Sequence, residues 1–83
     1  MFLHIIEVKP LGEYQLKLWF NNGTVKEIDL REELYGEIFE PLKDLQIFQQ
    51  VEVNQETQTI EWPNGADFAP EFLFEKGQEV KVT

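Results

Sequence analysis

The apolar positions of this chain change period several times over a short length, and each change marks a new element. Residues 3–11, LHIIEVKPL, are β-branched and apolar on both faces, with His4, Ile6 and Val8 on one side and Leu3, Ile5 and Glu7 on the other. That pattern reads as a strand. From Tyr14 to Phe20 the alternation is strict: Tyr14, Leu16, Leu18 and Phe20 point one way, and Gln15, Lys17 and Trp19 the other. One face is then core and the other largely solvated. NNG at residues 21–23 is a hairpin signal, because Asn and Gly tolerate the positive φ of tight turns. Residues 24–29 are expected to pair antiparallel with the strand before. Val25 falls on one face of that third strand while Ile28 and Leu30 fall on the other, a break that a bulge or an edge position accommodates.

The period then shifts toward helical spacing. In DLREELYG, residues 29–36, Asp29 is placed to cap a short helical turn, Glu32 three residues on completes a capping box, and Gly36 ends it. A second helical piece begins at Pro41 and sets Leu42, Leu45 and Phe48 on one stripe, with Ile47 and Val51 beside it. VEVN at 51–54 and TQTIEWPNG at 57–65 read as a second hairpin, with Val51 and Val53 on one face and Ile60 alternating with Trp62. After the turn at Pro63, Asn64 and Gly65, a last helix starts at Pro70, whose ring suits a first turn and keeps Ala69 out of the α region. Phe68 and Phe72, four residues apart, are expected to stack, Leu73 joins them, and Gly77 stops the helix. EVKVT at 79–83 adds an edge strand or frays. The fold class is α+β: a mainly antiparallel five-stranded sheet in the order β-β-β-α-β-β-α, with short helices on one face or end.

Composition narrows this picture. At 83 residues the chain, 1–83, holds a single domain with one core. Seven Phe and two Trp make that core adequate despite the small size. With no cysteine, a disulfide framework, a thiolate metal site and a thiol nucleophile are all excluded. The first apolar stretch contains His4 and stops at Glu7, too short and polar for a signal segment or a membrane span, so the cytoplasm is the expected address. A formal charge of -9 keeps the molecule soluble and repels phosphates, which disfavours direct nucleic-acid binding. The same field attracts a basic protein.

Candidate chemistry is sparse. His4 has no second imidazole to join it, and a structural role on the strand face is expected. Carboxylate pairs recur at Glu32 and Glu33, Glu37 and Glu40, Glu52 and Glu56, and Asp67 and Glu71, yet none sits in a calcium-loop pattern. The glycines stand singly, no phosphate-binding loop appears, and serine is absent. Trp19 and Trp62 could stack bases, but the basic groove that such a reader needs is missing. No metal or cofactor is expected, and the chain reads as a non-enzyme.

The densest stretch is EWPNGADFAPEF, residues 61–72. Trp62 closes a strand, residues 63–65 turn, Asp67 is placed to hydrogen-bond free N–H groups ahead of the helix, and Glu71 lies where a helix dipole favours an anion. A partner-facing surface built on this corner involves Trp62, Asn64, Asp67 and Glu71.

WPNGADFAPEFLF, preceded by YQLKLWFNNGTVKEIDL and FEPLKDLQIFQQVEV, resembles the small bacterial proteins grouped as domain of unknown function 2442. The likeness runs from about Val8 to Phe74; Ile28 stands where the family often has Phe, and Phe74 where it often has Tyr. The resemblance implies a compact α+β domain without an established activity. Some relatives carry a helix-turn-helix module, and others are encoded beside a second small protein in toxin-antitoxin-like pairs. With Thr83 ending this chain, any link to DNA is expected to come through a partner.

Two functions stay open from these readings. The first is an interaction domain, antitoxin-like or an adaptor, that binds a basic protein partner. The alternative is a regulatory domain sensing a small molecule or cation near Trp62. Oligomeric state is open as well: an edge strand and Trp19 on a polar face admit a homodimer, while the net charge works against one.

Overall fold

The strict alternation of Gln15–Phe20 makes it the central strand, β2, flanked by β1 (Ile5–Gly12) and β3 (Val25–Asp29) in an antiparallel meander. The computed structural model describes residues 2–80. Leu16, Leu18 and Phe20 are buried, while Gln15 is exposed and Lys17 and Trp19 are half-buried on the opposite face. The remaining elements are one-turn α1 (Leu45–Phe48), β4 (Glu52–Asn54), β5 (Thr59–Glu61), α2 (Pro70–Lys76) and β6 (Gln78–Glu79), with 3-10 turns at Arg31–Glu33 and Glu40–Lys43.

The single five-stranded sheet of the sequence reading is not formed. There are two sheets: four strands in the order β1-β2-β3-β6, and a separate pair, β4 with β5. An extra residue at Ile6 interrupts β1 directly after Ile5, and such a bulge ends regular pairing along an edge. β4 and β5, three residues each, therefore pair with each other, and their turn meets β1 where the Ile5 N–H donates to the Gln58 carbonyl at 3.0 Å. The fourth strand of the large sheet is instead β6, two residues long, bonded to β3 at Lys26 and Glu27. The expected terminal strand at 79–83 overlaps it at Glu79, and its last three positions lie outside the described residues.

The irregularity foreseen in β3 lies in β1. β3 pairs with β2 in unbroken register from Gln15 opposite Asp29 to Trp19 opposite Val25. In β1 the register slips between Ile5, opposite Phe20, and Glu7, opposite Trp19. The extra residue, Ile6, is exposed, and Ile5 and Val8 come to lie beside Phe20 and Leu18 on the same core-facing side. A bulge thus reassigns faces that plain alternation had split. The unbroken register of β3 also puts Lys26 opposite Leu18, pointing inward. Its Nζ donates to the Phe74 carbonyl at the end of α2 and lies 4.0 Å from the centre of the Phe74 ring, so the cation serves the C-terminal end of a helix dipole.

The helical pieces differ in detail from expectation. The Asp29–Glu32 capping box does not form: the residue ahead of the first 3-10 turn is Leu30, without a side-chain cap, and Asp29 Oδ1 accepts from the Arg31 N–H at 2.9 Å in a local turn. The helix expected from Pro41 is broken in two, because Asp44 adopts an extended conformation between the second 3-10 turn and α1 and caps α1 by accepting from the Gln46 N–H at 2.9 Å. The break rotates Leu45 off the stripe to 39% exposure, whereas Leu42, Phe48 and Val51 stay buried. The core is continuous: Ile5, Leu16, Leu18, Phe20 and Ile28 from the large sheet meet Phe48, Ile60, Trp62 and Leu73 from the other layer.

Candidate functional site

Two turns of this protein are built alike. Between β2 and β3 the Phe20 N–H donates to the Thr24 carbonyl at 2.9 Å, the Gly23 N–H to the Phe20 carbonyl at 3.1 Å, and the Thr24 N–H to Asn22 Oδ1 at 3.0 Å. After β5 the Trp62 N–H donates to the Ala66 carbonyl at 2.9 Å, the Gly65 N–H to the Trp62 carbonyl at 2.9 Å, and the Ala66 N–H to Asn64 Oδ1 at 3.1 Å. Each is a three-residue loop opened by an aromatic residue, pinned by an Asn carboxamide and closed by a glycine, at φ 87° for Gly23 and 89° for Gly65. Only the glycines take positive φ, so the asparagines act through their side chains. Asn21 likewise ties residues 2–4 down: its Oδ1 accepts from the His4 N–H at 2.9 Å and its Nδ2 donates to the Phe2 carbonyl at 2.8 Å.

The second turn does more than reverse the chain. Asn64 Nδ2 donates to the Ile38 carbonyl at 2.8 Å, which fixes residues 36–39 against the corner. Trp62 is 2% exposed, and its indole Nε1–H donates to the Phe48 carbonyl, a free C=O at the end of α1, at 2.8 Å. Thr59, the buried polar residue of β5, donates from Oγ1 to the Phe68 carbonyl at 2.6 Å. The first two bonds hold the corner to residues 36–39 and to α1, and the third ties residues 59–68 together. No buried side-chain N or O among the described residues lacks a hydrogen-bond partner.

Of the four residues assigned to a partner surface, the structure exposes Asn64, Asp67 and Glu71 and buries Trp62. Trp62 supports the corner from inside and cannot touch a macromolecule directly. Asp67 does not cap α2, whose N-cap is Ala69 without a side-chain bond; its backbone instead bridges to Glu61. Glu71 stands in the first turn of α2 as expected.

Two features of this region escaped the sequence reading. Phe68 stacks on Phe72 as anticipated, with ring centroids 5.3 Å apart and planes 12° from parallel. It stacks also on Phe39, at 4.8 Å and 25°, so three rings form a half-buried ladder with Phe68 in the middle. The sequence held no signal for Phe39, 29 positions away. The other feature is a row of acids. Glu52 lies opposite Glu61, and Glu61 bridges to Asp67, so three carboxylate residues stand side by side across β4, β5 and the corner. Like charges directly opposite on a sheet repel, and Asn54 Nδ2, donating to Glu61, offsets part of that.

The charge is unevenly placed along the chain. Residues 44–75 contain seven carboxylates (Asp44, Glu52, Glu56, Glu61, Asp67, Glu71, Glu75) and no Lys, Arg or His, so they carry most of the formal -9. An open groove of about 530 Å³ runs along this half, lined by Gln50, Glu52, Asn54, Glu61, Trp62 and Pro63 among others. No group of three or more His, Asp or Glu able to hold a metal ion occurs among the described residues, and no helix there is long and apolar enough to cross a membrane.

Residues 5–79, nearly the whole chain, match the family described as "Protein of unknown function (DUF2442)". The chain belongs to DUF2442. The match takes in both Asn-Gly turns, the Phe ladder and the acid row, so the corner is part of what this DUF2442 domain is built from. Neither the curated proteins nor the solved structures contain a match to it.

Proposed function

We propose that this DUF2442 domain is a non-enzymatic interaction module, an adaptor or antitoxin-like subunit, whose acidic half binds a basic protein. The observation that carries this reading is the segregation of charge: residues 44–75 hold seven carboxylates with no cation among them, and three of these residues adjoin one another at Glu52, Glu61 and Asp67. Such a surface draws a cationic partner at long range and orients it, an effect on encounter that salt weakens. A rigid scaffold supports it, since Trp62, Thr59 and Asn64 anchor the corner by buried or bridging hydrogen bonds.

The test is copurification from native lysate at low and high salt, comparing the wild type with a folded Glu61→Gln/Asp67→Asn/Glu71→Gln variant. A basic protein retained at low salt by the wild type, released by salt and lost from the variant is the expected result. Equal recovery by both proteins, or recovery of no basic protein, refutes the reading.

A second reading rests on the groove beside Trp62: a small-molecule or cation sensor whose ligand meets Gln50, Asn54 and Glu61. A ligand that binds only the native state must raise Tm, so a thermal-shift panel of metabolites and divalent ions that gives no shift discards this alternative.

A further inference from the structure

The Phe39–Phe68–Phe72 ladder leaves aromatic surface only partly covered. Its rings are only half-buried, although they lie against a core that already holds Phe48 and Trp62. Ile38, next to Phe39 in the chain, is 47% exposed, and its backbone is held in place by Asn64. Apolar surface at the ladder is therefore fixed in position before any partner arrives. Asp67 and Glu71 neighbour Phe68 and Phe72 in sequence, and neither is in an ion pair among the described residues. The cations nearest in sequence to Phe39, Arg31 and Lys43, are paired with Glu13 and Glu40. An apolar centre with a polar rim is the anatomy of a recognition surface.

We propose that this ladder is the seat of a cationic amphipathic helix from a partner protein. The inference rests on the acidic-half reading above and names the element of the partner that it receives. Charge complementarity requires Lys or Arg on the incoming segment. The ladder accommodates a helix: its centroids lie 4.8 and 5.3 Å apart, ordinary distances for stacked rings, and side chains at i, i+4 and i+7 of a helix, about 6 and 4.5 Å apart along its axis, match that succession of rings. Apolar anchors at that spacing with Lys or Arg on the flanks are the pattern by which amphipathic helices dock.

The experiment uses fluorescence anisotropy with three labelled peptides of about 18 residues, a length that spans about 27 Å as a helix. One carries Leu at i, i+4 and i+7 among Lys residues, the second is its scramble, and the third is oligolysine of equal charge. The proteins are the wild type, Ile38→Glu, Glu71→Lys, and Glu56→Lys as a control of equal charge change on the β4–β5 turn. The wild type is expected to bind the amphipathic peptide about tenfold more tightly than the scramble. Ile38→Glu is expected to lose that preference although it adds a negative charge, and Glu71→Lys to weaken binding more than Glu56→Lys does. Equal, salt-sensitive binding of all three peptides, unchanged by Ile38→Glu, overturns the helix seat and leaves the acidic reading standing. Binding of none of the peptides even at about 20 mM salt, where screening is weak, overturns both.

Discussion

Replacing Trp62 with phenylalanine isolates the bond that joins the corner to α1. The substitution keeps an aromatic ring in a site that is 2% exposed but removes the indole N–H that donates to the Phe48 carbonyl at 2.8 Å. A buried carbonyl left without its donor costs about 1–3 kcal/mol. The lost part of the ring system costs roughly another 1–2 kcal/mol in buried apolar surface and packing. A loss of about 3 kcal/mol is a large part of the total for a domain of this length, which is on the order of 4–12 kcal/mol. Urea titration followed by far-UV circular dichroism is the assay. With m near 1 kcal/mol/M for a small domain, the midpoint should fall by roughly 2–4 M at unchanged m. Trp19→Phe is the internal control: the same chemical change on the half-buried outer face of β2, where no hydrogen bond engages the indole among the described residues, should cost under about 1 kcal/mol. Equal losses from the two tryptophans, or a neutral Trp62→Phe, would show that the Phe48 bond contributes nothing and that the corner is held by packing alone.

Asn64→Asp keeps the acceptor for the Ala66 N–H but loses the donor to Ile38, so it should cost about 1 kcal/mol, while Asn64→Ala, which loses both bonds, should cost about 2 kcal/mol by chemical denaturation. Gly65→Ala places a Cβ at φ 89°, and a loss of roughly 1–2 kcal/mol is expected in the same titration; a stabilised variant would mean that the turn takes another form. Lys26→Met keeps the aliphatic stem but removes the ammonium from the Phe74 carbonyl and ring, and Tm should fall by the equivalent of about 1–2 kcal/mol with little response to added salt.

The hairpins, the α2 start at Pro70 and its Gly77 stop, and the Phe68–Phe72 stack are legible in the sequence, because each depends on residues within about four positions of one another. The place of Asn64 in the corner follows from the turn, but its second bond does not, since the Ile38 carbonyl is 26 positions away. The burial of Trp62 is hidden for the same reason: a tryptophan beside a Pro-Asn-Gly turn has no local feature that tells a partner-facing ring from one whose N–H meets a carbonyl on α1. Asp44, by contrast, is a local signal. An Asp directly before LQIF is an ordinary helix cap, and it divides the helical stretch there.

What this chain's sequence determined by itself was the class of the domain and the kind of elements in it, for alternation, turn residues and prolines act over a few positions through backbone sterics and nearby hydrogen bonds. The tertiary structure decided which strands share a sheet, which face the β1 bulge turns inward, that Lys26 points at a helix end, and that Phe39 completes an aromatic ladder. Those outcomes depend on pairing and burial between segments far apart in the chain, where the free energy of a contact is set by what else reaches the same space and not by the residues on either side.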